Sequence, residues 1–287
     1  MLLCEDPDPR SGNPLAVSIY TTKTVRGIGA GPVLRADVFA RAGMTASRYD
    51  DVWAIVPSRS HGYLRNAGEL LNIEYDDHSA YAAGGLLSSL DDLLAFQRAL
   101  WDGRLVPPAL LQRMTTPVRE DYGYGLQIGE AFGRSMVNHY GAIDGFSSHL
   151  LYFPADDLLL VALGNVGTES ARATTCDLAA VMFGVAQPLL SALGPTRATA
   201  ADLDRLPGSY GPAGSARVVE RAGHGLLYRR GDQPLPMLPL GDGVFTLPGN
   251  FDVLLHFEAD GGRVRLLRAT NTCGKPLFEA TRQDAAE

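Results

Sequence analysis

Apolar residues recur every three to four positions in some stretches of the chain and in short dense runs elsewhere, and the two patterns separate helices from strands. Leu90, Leu93, Leu94, Leu100 and Trp101 form one helical stripe, expected to be core. Ser88 or Ser89 supplies an N-cap oxygen, Asp91 and Asp92 occupy the first turn, and Gly103 stands at the C-terminal stop. Pro107 and Pro108 open a second helix, Ala109–Met114, which Pro117 ends. Glu169–Val185 places Ala171, Leu178, Val181, Met182 and Val185 on one side, and a shorter helical pattern over Val33–Ala42 ends at Gly43.

Strands are expected at Ala16–Tyr20, Leu126–Ile128, Ser135–His139, His149–Phe153 and Leu158–Leu163. Pro154-Ala155-Asp156-Asp157 suits the turn between the last two, because Pro presets φ and Asp bonds nearby backbone. The unbroken apolar run of Leu158–Leu163 predicts burial on both faces. Residues 1–14 and the stretch Asp50–Ala80 have loop texture. Beyond residue 202 come short β-type runs, Ala216–Glu220, Leu226–Arg230, Val244–Leu247, Val253–Phe257 and Val264–Arg268, with a hairpin signal at Asp260-Gly261-Gly262. The expected organisation is an α/β (α+β) domain over 1–190, with helices on an antiparallel sheet, a linker over 191–201, and a small all-β, barrel-like (lipocalin-like) domain over 202–287.

A chain of 287 residues that is 46% hydrophobic and 20% charged is neither disordered nor a disulfide-dense mini-protein. Its net charge of -7 argues against non-specific nucleic-acid or anionic-membrane partners. No apolar run reaches the roughly 18 residues that span a bilayer. Cys4, Cys176 and Cys273 are widely spaced and are read as buried small hydrophobes. The first residues lack a basic n-region and an apolar core, so a cytoplasmic address is expected. The six histidines show no metal-ligand spacing, Asp76-Asp77-His78 reads as a solvated loop, and neither metal nor cofactor is expected. Gly27-Ile28-Gly29-Ala30-Gly31 fails as a dinucleotide fingerprint, because Pro32 follows it and no βαβ series does. Only Lys23 and Lys275 are available as lysine bases.

Seven segments then follow in order: Ala42-Gly43-Met44-Thr45, Gly62-Tyr63, Ala82 to Ser89 with Asp91-Asp92, Tyr122-Gly123-Tyr124-Gly125-Leu126, His139 to Ser148, Tyr152-Phe153-Pro154, and Leu163-Gly164-Asn165. The series resembles the later part of the serine β-lactamase-like family, which includes class C β-lactamases, penicillin-binding-protein-like esterases and D-aminopeptidase-type hydrolases. Leu206-Pro207-Gly208-Ser209-Tyr210 onward resembles the small barrel domain appended to many of its members.

The resemblance implies a hydrolase that transfers the acyl group of an amide or ester through a nucleophilic serine. Such a site needs a Ser-x-x-Lys on one helix face, a Tyr-x-Asn loop, and a Lys-Thr-Gly or His-x-Gly strand that binds substrate and donates an oxyanion N–H. By resemblance, His139-Tyr140-Gly141 is the strand element, with His139 at the substrate, Gly141 permitting close approach and the N–H of Ala142 facing the acyl oxygen. Tyr20, in Tyr20-Thr21-Thr22, is the candidate for a degraded Tyr-x-Asn, with the Asn absent. No Ser-x-x-Lys exists, because Tyr20 stands three before Lys23 and Thr272 three before Lys275. The expectation is an N-terminally incomplete member: a truncated gene product, a pseudoenzyme, or a half completed by another chain. Small-molecule or peptide acyl ligands are its expected partners, and an unpaired sheet edge would favour self-association or a completing chain. The rival expectation is a non-catalytic ligand-binding module that keeps the cleft.

Overall fold

Helix signals and the computed structural model agree from the first described segment. The structure describes residues 29–50, 53–66, 69–73, 84–143, 145–167, 170–185, 198–231, 234–241, 243–247 and 250–283. Tyr20, Lys23, Cys4, the strand expected at Ala16–Tyr20 and residues 191–197 of the expected linker lie outside these. The chain divides into two units, Met1–Ala171 and Arg172–Glu287.

In the first unit, helix α1 begins as Ala30–Leu34, passes a π-helical turn at Arg35–Phe39 and ends as Ala40–Ala42. Gly43 stops it at φ 78°, and the N–H groups of Gly43 and Met44 satisfy the carbonyls of Ala40 and Phe39. Strand β1 (Arg48–Tyr49) will pair antiparallel with β4 further on, and β2 (Tyr63–Asn66) and β3 (Glu69–Asn72) form a hairpin inside the stretch expected to be loop. That hairpin carries no hydrophobic period because β3 is exposed along its whole length. Strand β4 is Leu86–Leu87, paired with β1.

Helix α2 (Leu90–Trp101) is capped by Ser89, whose Oγ accepts the N–H of Asp92 at 3.2 Å. Its buried stripe is narrower than expected: Leu93, Ala99 and Leu100 are buried, whereas Leu90 and Leu94 are 53% and 37% exposed. Asp92 does more than complement the helix dipole. It is buried and accepts hydrogen bonds from Thr45 N–H (3.1 Å), Ala46 N–H (2.9 Å) and Ser47 Oγ (2.6 Å), tying the Gly43-Met44-Thr45 segment to the helix start. Phe39, Ala42, Met44 and Ala99 form the apolar cluster beneath that joint. Helix α3 (Pro108–Met114) follows with Pro107 as its N-cap.

Strands β5 (Gln127–Ala131), β6 (Arg134–Ile143), β7 (Phe146–Phe153) and β8 (Leu158–Gly164) form an antiparallel sheet in that order. The Pro154–Asp157 turn holds as expected, with Asp156 ion-paired to Arg134 and Asp157 accepting from Tyr152 Oη at 3.0 Å. The expectation that Leu158–Leu163 is buried on both faces is corrected: β8 is the edge strand of the described sheet, its residues are half-buried, and Leu163 is 38% exposed.

In the second unit, α4 (Ala171–Met182) buries its small residues, Thr175, Cys176, Ala179 and Ala180, and exposes Leu178, Val181 and Met182. The large residues that share one helical side therefore face outward. Thr199 and Asp202 form a reciprocal capping box at α5 (Ala200–Arg205). Eight strands follow in a meander: β9 (Gly208–Tyr210), β10 (Arg217–Ala222), β11 (Gly225–Arg229), β12 (Pro234–Gly241), β13 (Val244–Leu247), β14 (Asn250–Asp260), β15 (Arg263–Asn271) and β16 (Pro276–Thr281). Bonds from Gly211 N–H to Thr281 O and Gln283 N–H to Ser209 O, both 2.8 Å, bring the first strand to the last, so the sheet is nearly a closed barrel. Tyr210, Val219, Leu226, Phe245, Leu255 and Leu267 are fully buried in its core cluster. Gly261 and Gly262, at φ 56° and 85°, make the two-residue hairpin that their sequence signals.

The cysteines depart from expectation. Cys176 of α4 and Cys273, after β15, are joined in a disulfide across 97 positions of sequence. Both are buried, but as a covalent cross-link rather than as isolated thiols.

Candidate active site

The Tyr122-Gly123-Tyr124-Gly125-Leu126 segment connects α3 to β5, and backbone hydrogen bonds hold it at several points. Val118 N–H bonds to Tyr122 O (2.8 Å), Tyr122 N–H to Arg119 O (2.8 Å), Gly123 N–H to Leu126 O (2.8 Å) and Tyr124 N–H to Met114 O (3.1 Å). A Cβ on Gly123 would lie 2.0 Å from the Met114 carbonyl oxygen, so only glycine fits. Gly125 holds φ 75° and completes the turn into β5. The segment is thus a braced frame, and it presents the half-buried Tyr122 to the sheet.

Strand alternation puts Val137, His139, Gly141 and Ile143 of β6 on one face, opposite Tyr152, Leu150, Ser148 and Phe146 of β7. Trp101 of α2 packs its ring edge-on to Tyr152 at 4.7 Å on that face. Burial, reinforced by the bond to Asp157, pushes the Tyr152 phenol up to about 12. His139 is buried at 6% exposure, and its Nε2 lies 2.7 Å from Tyr122 Oη, with the two rings edge-to-face at 6.1 Å. The opposite face holds a second polar pair: His149 Nε2 meets Asn138 Oδ1 at 3.2 Å, and Asn138 Nδ2 reaches Gln127 O at 3.4 Å.

Pairing of β5 to β6 stops at Gln127–Asn138, so from His139 to Ile143 the strand neighbour of β6 among the described residues is β7 alone. Gly141 is buried opposite Ser148, whose Oγ bonds to the Gly141 carbonyl at 3.4 Å, and Ala142 is exposed opposite Ser147. A strand segment of this kind, beside an imidazole, offers hydrogen-bonding groups to a carbonyl or carboxylate oxygen. Among the described residues no group of three or more His, Cys, Asp or Glu converges as a metal site.

The end of the strand pair is closed by glycines. A Cβ on Gly145, which holds φ 77°, would lie 2.8 Å from Gly62 Cα, and one on Gly167 would lie 2.8 Å from Gly145 N. Tyr63 N–H bonds to Asn165 O (2.9 Å), Gly167 N–H to Tyr63 O (2.8 Å), and Asn165 Nδ2 to His61 O (3.0 Å). The Gly62-Tyr63, Gly145-Phe146 and Leu163-Gly164-Asn165 segments therefore meet in one place, next to the Ile143–Phe146 end of the candidate strand. Of the expected site residues, the structure places His139, Gly141 and Ala142 together on β6. The partnership of Tyr122 with His139 escaped the sequence reading, although Tyr122 opens one of its seven segments.

Residues 29–181 match the family model described as Beta-lactamase. The D-aminopeptidase of Gluconobacter oxydans (strain 621H) is 34% identical over 130 residues, covering 43% of this chain and 25% of that protein, so the match spans a quarter of the relative's length. The octameric penicillin-binding protein homologue from Pyrococcus abyssi superimposes with a TM-score of 0.54 at 17% identity, over 94% of this chain and 63% of that one. The solved structure of SurE gives a TM-score of 0.50 at 18% identity, over 94% of this chain and 67% of that one. These two structures share the fold.

Proposed function

Because the chain belongs to the beta-lactamase family, which it matches over residues 29–181, we propose that it carries the substrate-binding side of a serine-hydrolase acyl-transfer site for D-amino acid amides or peptides. The observation that carries this reading is the His139-Tyr140-Gly141 strand, which from His139 to Ile143 has β7 as its strand neighbour among the described residues, beside a braced Tyr122. The 34% identity to a D-aminopeptidase supports the substrate class. In this reading the N–H of Ala142 hydrogen-bonds the substrate's acyl oxygen, Gly141 admits the substrate backbone, and the His139 imidazole stabilises a polar or charged substrate group. The sequence holds neither Ser-x-x-Lys nor Tyr-x-Asn. The polypeptide as it stands therefore binds such ligands without forming an acyl-enzyme. Titration of the 15N-labelled chain with D-alanine amide tests this. Shifts confined to Tyr122 and His139–Ile143, lost in His139→Ala, are expected, and unchanged spectra at tens of millimolar ligand would overturn it.

A second reading has its own support. The exposed Leu163 and the half-buried apolar β8, at the edge of the described sheet, favour a half-domain completed by a second chain or a second copy. Sizing chromatography with light scattering decides this: a monomer at every concentration contradicts it. The Cys176–Cys273 bond supports an oxidising compartment over the cytoplasmic address expected from the first residues.

A further inference from the structure

We propose that Tyr122 is the positioning residue of His139, and that its phenol donates to Nε2 and so fixes the imidazole as the Nδ1–H tautomer. The inference deepens the assignment of His139 to the substrate strand and rests on it. A neutral imidazole has one N–H, and the partner of one ring nitrogen decides which nitrogen carries it. The Tyr122 Oη to His139 Nε2 distance is 2.7 Å, and the 83° angle between the rings brings the hydroxyl to the imidazole edge. A phenol O–H is a much stronger acid than a neutral imidazole N–H, so in this pair the phenol donates and Nε2 accepts. The bond is held from both ends. His139 is buried within a continuous strand, with β7 beside it. Tyr122 is pinned by its own backbone bonds to Val118 and Arg119, and a side chain on the adjacent Gly123 would collide with Met114 O. A tyrosine braced this way does not follow the imidazole if it turns. The phenol therefore selects one ring plane and one tautomer, and the substrate side of β6 meets a His139 of defined polarity rather than an equilibrating one.

The imidazole 15N and 1H resonances of His139, assigned by their loss in His139→Gln, test this in the full chain without any ligand. The wild type is expected to show an unprotonated Nε2 and a protonated Nδ1. In Tyr122→Phe, which keeps the ring and removes only the hydroxyl, the population moves toward the Nε2–H tautomer that isolated histidine prefers. A wild-type His139 already in the Nε2–H form, or identical His139 shifts in the two proteins, overturns the proposal. Should Tyr122→Phe fold poorly, 3-fluorotyrosine in the unmutated chain gives the second measurement: a more acidic phenol is expected to move the Nε2 resonance upfield, and no movement contradicts the assignment. Because no ligand enters, failure here is separate from failure of the ligand titration. A merely structural tyrosine would alter melting temperature without changing the tautomer.

Discussion

Replacing Cys176 and Cys273 together by alanine removes the cross-link while leaving small apolar side chains in two buried positions. The magnitude follows from the 97-residue separation. Releasing a loop of that length returns about 16 cal/mol/K of conformational entropy to the unfolded chain, or about 4.7 kcal/mol at 25 °C. Measured disulfides more often contribute about 2–4 kcal/mol. The second unit, Arg172–Glu287, carries an unfolding entropy of about 240 cal/mol/K at typical per-residue values, so each kcal/mol moves its midpoint by about 4 °C. The double variant is expected to melt about 8–19 °C earlier in that unit. Calorimetry reads the shift, and hydrogen exchange of β14–β15 peptides assigns it to the barrel. Alkylation supplies the control. Unfolded without reductant, a chain with three cysteines and one disulfide takes up one iodoacetamide, and after reduction it takes up three. Three alkylations before reduction, or an unchanged barrel midpoint in the double variant, would refute the reasoning.

Three further outcomes are expected. Asp92→Ala strips three donors of a buried acceptor and should cost about 2–4 kcal/mol in chemical denaturation, with Ser47→Ala costing less. Gly123→Ala drives a Cβ into the Met114 carbonyl and should displace the Tyr122 frame, so the Tyr122 and His139 amide resonances move, whereas Gly214→Ala, with open space around it and no positive φ, leaves them in place. Burial pushes the Tyr210 phenol up to about 12, as it does for Tyr152. The unfolded chain releases these protons near pH 10 while the folded chain holds them, so stability is intact below pH 10 and falls as pH rises toward 12. Absorbance of tyrosinate should show Tyr210→Phe flattening that alkaline loss.

The sheet carrying the candidate strand was legible because its strands are punctuated by chemistry that acts locally: Gly125 before β5, and Pro154 to Asp157 between β7 and β8. The same holds for Val244–Leu247 and for the Gly261-Gly262 hairpin. Strand β12 was missed because Pro234, Pro236 and Pro239 break the strand signal, yet it pairs on both sides. The β2–β3 hairpin was missed because exposure on β3 erases the alternation. The sidedness of α4 was misjudged because size and burial run opposite there, with alanines inside and Val181 and Met182 outside. Nothing in local spacing connects Cys176 to Cys273 or Tyr122 to His139, since both pairings are created by topology. Family resemblance brought His139, Gly141 and Ala142 forward. It did not say why Gly62, Gly145 and Gly167 must be glycine, which close backbone approach explains.

The central proposal is that this polypeptide offers the binding side of an acyl-transfer cleft and, lacking Ser-x-x-Lys, forms no acyl-enzyme. Intact-mass spectrometry of the folded chain after incubation with a fluorophosphonate or a fluorescent penicillin tests it most directly. The account predicts an unchanged mass with either reagent, whereas one covalent adduct per chain, mapped to a serine of this sequence, would contradict it.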